Sequence, residues 1–131
     1  MLATSDIVIV VIALGPETRG LVNASVMKAG ALLVNGARGD VVNEGAMVQA
    51  LRDGQLAGAA LDVFSIEPLP LDHVLRELPS VLLSPHMAGS SQQAAGRIFS
   101  QTKANLQRVL DGQPVVDVVN GVDLRAVRRR T

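Results

Sequence analysis

The stretch Asp6-Ile-Val-Ile-Val-Val-Ile12 constrains the fold more than any other feature of this sequence. It is apolar at every position after Asp6, rich in β-branched residues and without polar alternation, the pattern of a strand covered on both faces inside a parallel sheet. Three further apolar runs follow, from Ala31 to Val34, from Ala57 to Val63 and from Val81 to Leu83, each bounded by turn-forming or polar residues. Parallel strands need crossover connections, and the intervening segments supply them. A short helical stretch around Ser25 to Lys28 ends at Gly30. Asn43 is placed to cap a helix with Glu44 in its first turn and Ala46, Met47, Ala50 and Leu51 at helical spacing, closed by Gly54. Between the third and fourth strands lies a loop marked by Pro68, Pro70 and Pro79.

From Ser90 onward, Ala94, Ala95, Ile98, Phe99, Thr102, Leu106, Val109 and Leu110 fall on one helical face until Gly112 and Pro114 end the segment. The spacing predicts a helix of roughly 20 residues. Strands alternating with helices imply an α/β layered fold with a parallel sheet and right-handed crossovers, followed by this long C-terminal helix.

With 131 residues, 48% of them hydrophobic, the chain has the size of one compact domain. Twelve basic residues balance twelve acidic ones, so neither nucleic acid nor an anionic membrane is the expected partner. Arg125, Arg128, Arg129 and Arg130 read as a solvated basic tail, residues 121–131. The absence of cysteine excludes a disulfide framework, a thiolate metal site and a cysteine nucleophile. The apolar run from Ile7 to Leu14 is too short for a membrane span and lacks the basic flank of a signal peptide. A soluble, cytoplasmic protein is the expectation.

In an open parallel sheet, ligands bind beyond the carboxyl ends of the strands. Three strand ends carry small or ionisable residues here: Arg38 between Gly36 and Gly39, then Asp62 and Glu67, then His86. An arginine can grip a carboxylate in a two-pronged fork, and a histidine paired with a carboxylate can exchange a proton near neutral pH. Each residue alone also has an ordinary reading, as an ion-pair arginine, a carboxylate satisfied by backbone N–H groups, or a packing histidine. His73, in the loop, reads as a surface residue.

Four segments decide between these readings. Gly15-Pro-Glu-Thr-Arg-Gly-Leu21, Asn35-Gly-Ala-Arg-Gly39, Gly58-Ala-Ala-Leu-Asp-Val-Phe64 followed by Glu67-Pro68, and Ser84-Pro-His-Met-Ala-Gly89 resemble, in order and spacing, the signature segments of the D-isomer-specific 2-hydroxyacid dehydrogenases. The resemblance runs from Ser5 to Asn120. It implies a partial Rossmann-like sheet, the C-terminal part of an NAD-binding domain occupying residues 1–120 with its trailing helix. It further implies an oxidoreductase that uses NAD, with NADP also allowed, on a small 2-hydroxy or 2-oxo acid. By position, Arg38 binds the substrate carboxylate, His86 is the general acid/base, and Glu67 holds and tunes His86. Asp62 hydrogen-bonds the nicotinamide carboxamide, while Gly36, Ala37, Arg38, His86, Ala88 and Gly89 line the cofactor.

The chain departs from the family pattern in two respects. The phosphate-gripping G-x-G-x-x-G turn is missing, along with the ribose-selecting residue beyond it and the substrate domain. Before Gly15, where the family usually has His-x-Pro, this chain reads Val11-Ile12-Ala13. In the Rossmann strand order 3-2-1-4-5-6 the first strand here corresponds to the fourth. Its outer edge is then unpaired and apolar, which predicts self-association or pairing with a complementing N-terminal half. A truncated, non-catalytic module that binds a partner through this edge is the alternative to an enzyme, and a nucleotide-sensing regulator is a third reading.

Overall fold

The computed structural model describes residues 1–119. The basic tail and the last residue of the expected domain, Asn120, lie outside the described residues. The chain divides into two compact units, Met1–Ala88 and a second beginning at Gly89. The helix read from the sequence as the trailing part of the 1–120 domain belongs to the second.

The first unit is built on a four-stranded sheet, β1 (Ile7–Val10), β2 (Ala31–Asn35), β3 (Leu56–Leu61) and β4 (Val81–Leu83), in sequential order with every neighbouring pair parallel. All four expected strands are present. β1 is shorter than its apolar run because β2, its sole partner, ends the shared register at Val10↔Asn35. β3 begins one residue early, with Leu56 paired to Ala31 across a local irregularity in the register.

Registration sorts the side chains onto two faces. Val8, Leu33, Ala59 and Val81 stand in one row, and Val10, Asn35, Leu61 and Leu83 in the next. This face carries the core. α1 (Glu44–Arg52) turns Met47, Ala50 and Leu51 inward and packs against β3 and the 3-10 turn Ala24–Val26. That turn replaces the helix expected around Ser25 to Lys28. α1 starts where Asn43 Oδ1 accepts the Ala46 N–H at 3.0 Å, and it stops at Gly54, whose φ of +69° is the left-handed value that glycine adopts without strain.

The opposite face is open: Ile7, Ile9 and Leu82 are 55%, 63% and 74% exposed. β1 lies at the sheet edge, as the strand order implied, but one of its faces is bare, so the reading of a first strand covered on both faces is corrected within this chain. In the second unit, α2 (Gln92–Leu110) begins at the Ser91 cap, as the apolar spacing predicts, yet buries none of its residues. The Asn105 side chain holds the returning chain by bonding both the N–H and the C=O of Val116. No helix among the described residues is long and apolar enough to cross a membrane.

Candidate active site

Every sequence-predicted ionisable residue of the first unit lies at or just beyond a strand's carboxyl end. The loop after β2 is set by Asn35, which is 2% exposed. Its Oδ1 accepts the Ala37 N–H at 3.1 Å and its Nδ2 donates to the Arg38 carbonyl at 3.0 Å, so one buried side chain fixes the backbone of residues 36–38. Sequence reasoning gave Asn35 no role. The Asn-Gly pair at a strand end was the available signal, because an Asn side chain commonly bonds the backbone two residues on. Asp40, next in this loop, is ion-paired to Arg19, which ties the 15–20 turn to it.

Gly39 brings this loop against the loop after β3. A Cβ built on it would lie 2.0 Å from the Phe64 carbonyl carbon, so only glycine permits the approach. A recess of about 250 Å³ results, lined by Leu14, Arg38, Phe64, Glu67 and His86 among others. The three residues expected to be catalytic share its walls. Arg38 is exposed, its Nη1 donates to the Ala37 carbonyl at 2.6 Å, and among the described residues no carboxylate lies within ion-pairing distance of it.

Glu67 and His86 touch: Oε2 lies 2.7 Å from Nδ1. Glu67 Oε1 accepts the Phe64 N–H at 2.9 Å. The His86 contact, then the Phe64 N–H, hold the Glu67 carboxyl below its ordinary range; partial burial opposes them, and the charges of His86 and Arg38 add to the lowering. A carboxylate only accepts, so Nδ1 carries the hydrogen and Nε2 is the nitrogen left to exchange a proton.

Asp62 is 7% exposed and accepts from the Ser84 hydroxyl, from Met87 N–H at 2.9 Å and from Ala88 N–H at 2.8 Å. Burial alone would raise its pKa, but the Ser84 hydroxyl, the two N–H donors and the nearby His86 together bring it below the ordinary value. Both carboxylates are thus easier to ionise in the folded chain than in the unfolded one. A depressed folded-state pKa stabilises fully above the unfolded value and loses that contribution as pH falls through the folded value. Urea midpoints followed by circular dichroism should therefore decline below the usual carboxylate range, and Asp62→Asn should flatten the decline; an unchanged slope would refute the assignment.

A second recess of about 450 Å³ lies between residues 11–14 and 36–38. Gly36 opens onto it with no atom within 4 Å of a built Cβ. Ala37 is buried, Ala88 exposed, and Gly89 is an exposed residue of the second unit. His73 proves half-buried rather than free on the surface: its Nδ1 accepts the Leu75 N–H, and its Nε2 lies 3.3 Å from Glu44 at the start of α1.

Comparison with known proteins identifies the family. Residues 1–88 match the family model described as D-isomer specific 2-hydroxyacid dehydrogenase, NAD binding domain. A glyoxylate reductase from Thermofilum pendens is 43% identical over 92% of this chain, and a D-3-phosphoglycerate dehydrogenase from Bacillus subtilis is 37% identical over 92%. The chain spans 36% of the first relative and 23% of the second. A D-isomer specific 2-hydroxyacid dehydrogenase from Xanthobacter autotrophicus Py2, solved in complex with NADPH and MES, superposes with a TM-score of 0.77 at 43% identity, over 91% of this chain and 50% of that one. The chain belongs to the D-isomer specific 2-hydroxyacid dehydrogenase family, and its first 88 residues correspond to part of that family's NAD-binding domain.

Proposed function

We propose that this chain carries the proton-transfer and carboxylate-binding half of an NAD(P)-dependent oxidoreductase acting on the CH–OH group of a D-2-hydroxy acid. The observation that carries this reading is the 2.7 Å contact between His86 Nδ1 and Glu67 Oε2 on the wall of the recess that Arg38 lines. Arg38 offers a substrate carboxylate its guanidinium fork and so orients the adjacent carbonyl. Glu67 fixes the imidazole, and Nε2 of His86 gives a proton to the carbonyl oxygen during reduction or takes it from the hydroxyl during oxidation. The dinucleotide, when bound, supplies or receives the hydride.

Gly36, Ala37 and Ala88 would lie against that cofactor. The fit rests on the open space at Gly36 and on the recess beside it at the strand ends. Asp62 would offer the carboxamide its remaining acceptor position. Two of the relatives act, by name, on glyoxylate and D-3-phosphoglycerate, which supports a small 2-hydroxy or 2-oxo acid as the substrate class. Because the 131 residues contain no G-x-G-x-x-G turn, NADH oxidation by this chain alone should be negligible.

The direct test is a chimera in which this chain replaces the matching segment of the Thermofilum pendens glyoxylate reductase. Glyoxylate-dependent NAD(P)H oxidation by the folded chimera is the expected result. A folded chimera that binds the dinucleotide but turns over no 2-oxo acid would sink the proposal.

A further inference from the structure

We infer that Asp62 and Ser84 are positioning residues that together lock the turn carrying His86 and thereby fix the direction of its imidazole toward Glu67. The inference rests on the reading of His86 as the proton-transfer group. His86 has a φ of +53°, a left-handed conformation uncommon for a non-glycine residue and favoured here by its surroundings. The restraints that impose it come largely from one carboxylate.

Asp62, just past the end of β3, accepts from Ser84 two residues before His86 and from Met87 and Ala88 one and two residues after it. Ser84 is itself anchored, since its N–H donates to the Leu61 carbonyl at 2.9 Å and its carbonyl accepts the His86 N–H at 3.1 Å. Between these pinned points lie Pro85, whose ring fixes φ, and His86 alone. Release of the clamp lets His86 return to negative φ, which swings the imidazole away from Glu67. Three donors occupy most of the roughly four lone-pair sites of the Asp62 carboxylate, so holding this turn is its main use and one site is left for a ligand.

Nuclear magnetic resonance of the 15N-labelled chain tests this without reference to turnover. The sequence has two histidines, so His73→Gln assigns the His86 ring nitrogens. At a pH where the imidazole is neutral, the unsubstituted chain should show the two nitrogens well separated, with Nδ1 protonated. In Ser84→Ala the separation should shrink toward an averaged tautomer. Because the substitution removes one hydrogen bond to the Asp62 carboxylate and loosens the turn that the other two hold, the Met87 and Ala88 amides should also exchange at least about tenfold faster. Ser84→Thr, which keeps the hydroxyl, should restore both. Asp62→Asn should act in the same direction, and if it fails to fold the Ser84 pair decides.

A Ser84→Ala chain that keeps the fixed tautomer overturns the inference, even if amide exchange quickens, because exchange alone reports only local stability. An averaged tautomer in the unsubstituted chain overturns it as well. Failure of the proton-transfer reading appears elsewhere, as undiminished turnover in a His86 variant of the chimera, and does not move this readout.

Discussion

Gly39→Ala is expected to cost at least about 3 kcal/mol of folding stability, roughly a hundredfold or more in the folded population. The added methyl would lie 2.0 Å from the Phe64 carbonyl carbon, 2.2 Å from its oxygen and 2.4 Å from the Ser65 nitrogen. All three atoms are backbone, so no rotamer change relieves the clash. Relief requires the loop after β2 to separate from the loop after β3, and these loops bear Arg38 and Glu67. The substitution therefore opens the recess as well as weakening the fold. Chemical denaturation monitored by circular dichroism measures the loss, and an unshifted midpoint would remove Gly39 from the account. Gly36→Ala is the internal control, with a stability change within about 0.5 kcal/mol, because its methyl meets nothing within 4 Å.

His86→Ala in the chimera should lower kcat by about 10²- to 10⁴-fold, the usual contribution of a positioned general acid/base. The size of the effect follows from the division of labour in the Glu67–His86 pair. Glu67, held ionised below the ordinary carboxylate range, fixes the hydrogen on Nδ1 and leaves Nε2 to exchange its proton. No other imidazole of the first unit can substitute, since His73 is engaged by Leu75 and Glu44. Steady-state NADH oxidation across pH reads the loss. A decrease smaller than about threefold would mean that another group carries the proton.

Much of this arrangement was legible in the sequence, for reasons that differ from element to element. The strands were readable because short, continuous apolar runs, β-branched throughout only in β1, stand between turn-forming or polar residues. α1 was readable from Asn43 as its cap and both helices from apolar spacing, although the spacing in α2 marked a face that stays exposed. Arg38, Glu67 and His86 were legible only through linked segments, since no single ionisable residue after a strand identifies itself. Asn35 and Ser84 escaped notice because their partners are backbone groups and a carboxylate brought near by the sheet. The proximity of Gly39 to Phe64 depends on how two loops settle against each other, which no local pattern encodes.

The level register of the strands has a further consequence. Val10, Asn35, Leu61 and Leu83 stand in one row, so the loops bearing Arg38, Glu67 and His86 depart from neighbouring strands at the same height. Adjacent strands lie about 4.8 Å apart, which makes the sheet a ruler whose graduations separate the strand ends behind Arg38 and His86 by about two divisions. For the 2-oxo acid proposed above, whose carboxylate and reacting oxygen sit on adjacent carbons, the Arg38 and His86 side chains must reach inward across that span. Slippage of β4 by a single residue would shift His86 by about 3.3 Å and turn alternate side chains to the other face. The spacing of the loops that bear Arg38 and His86 is thus built into the pairing of β2, β3 and β4.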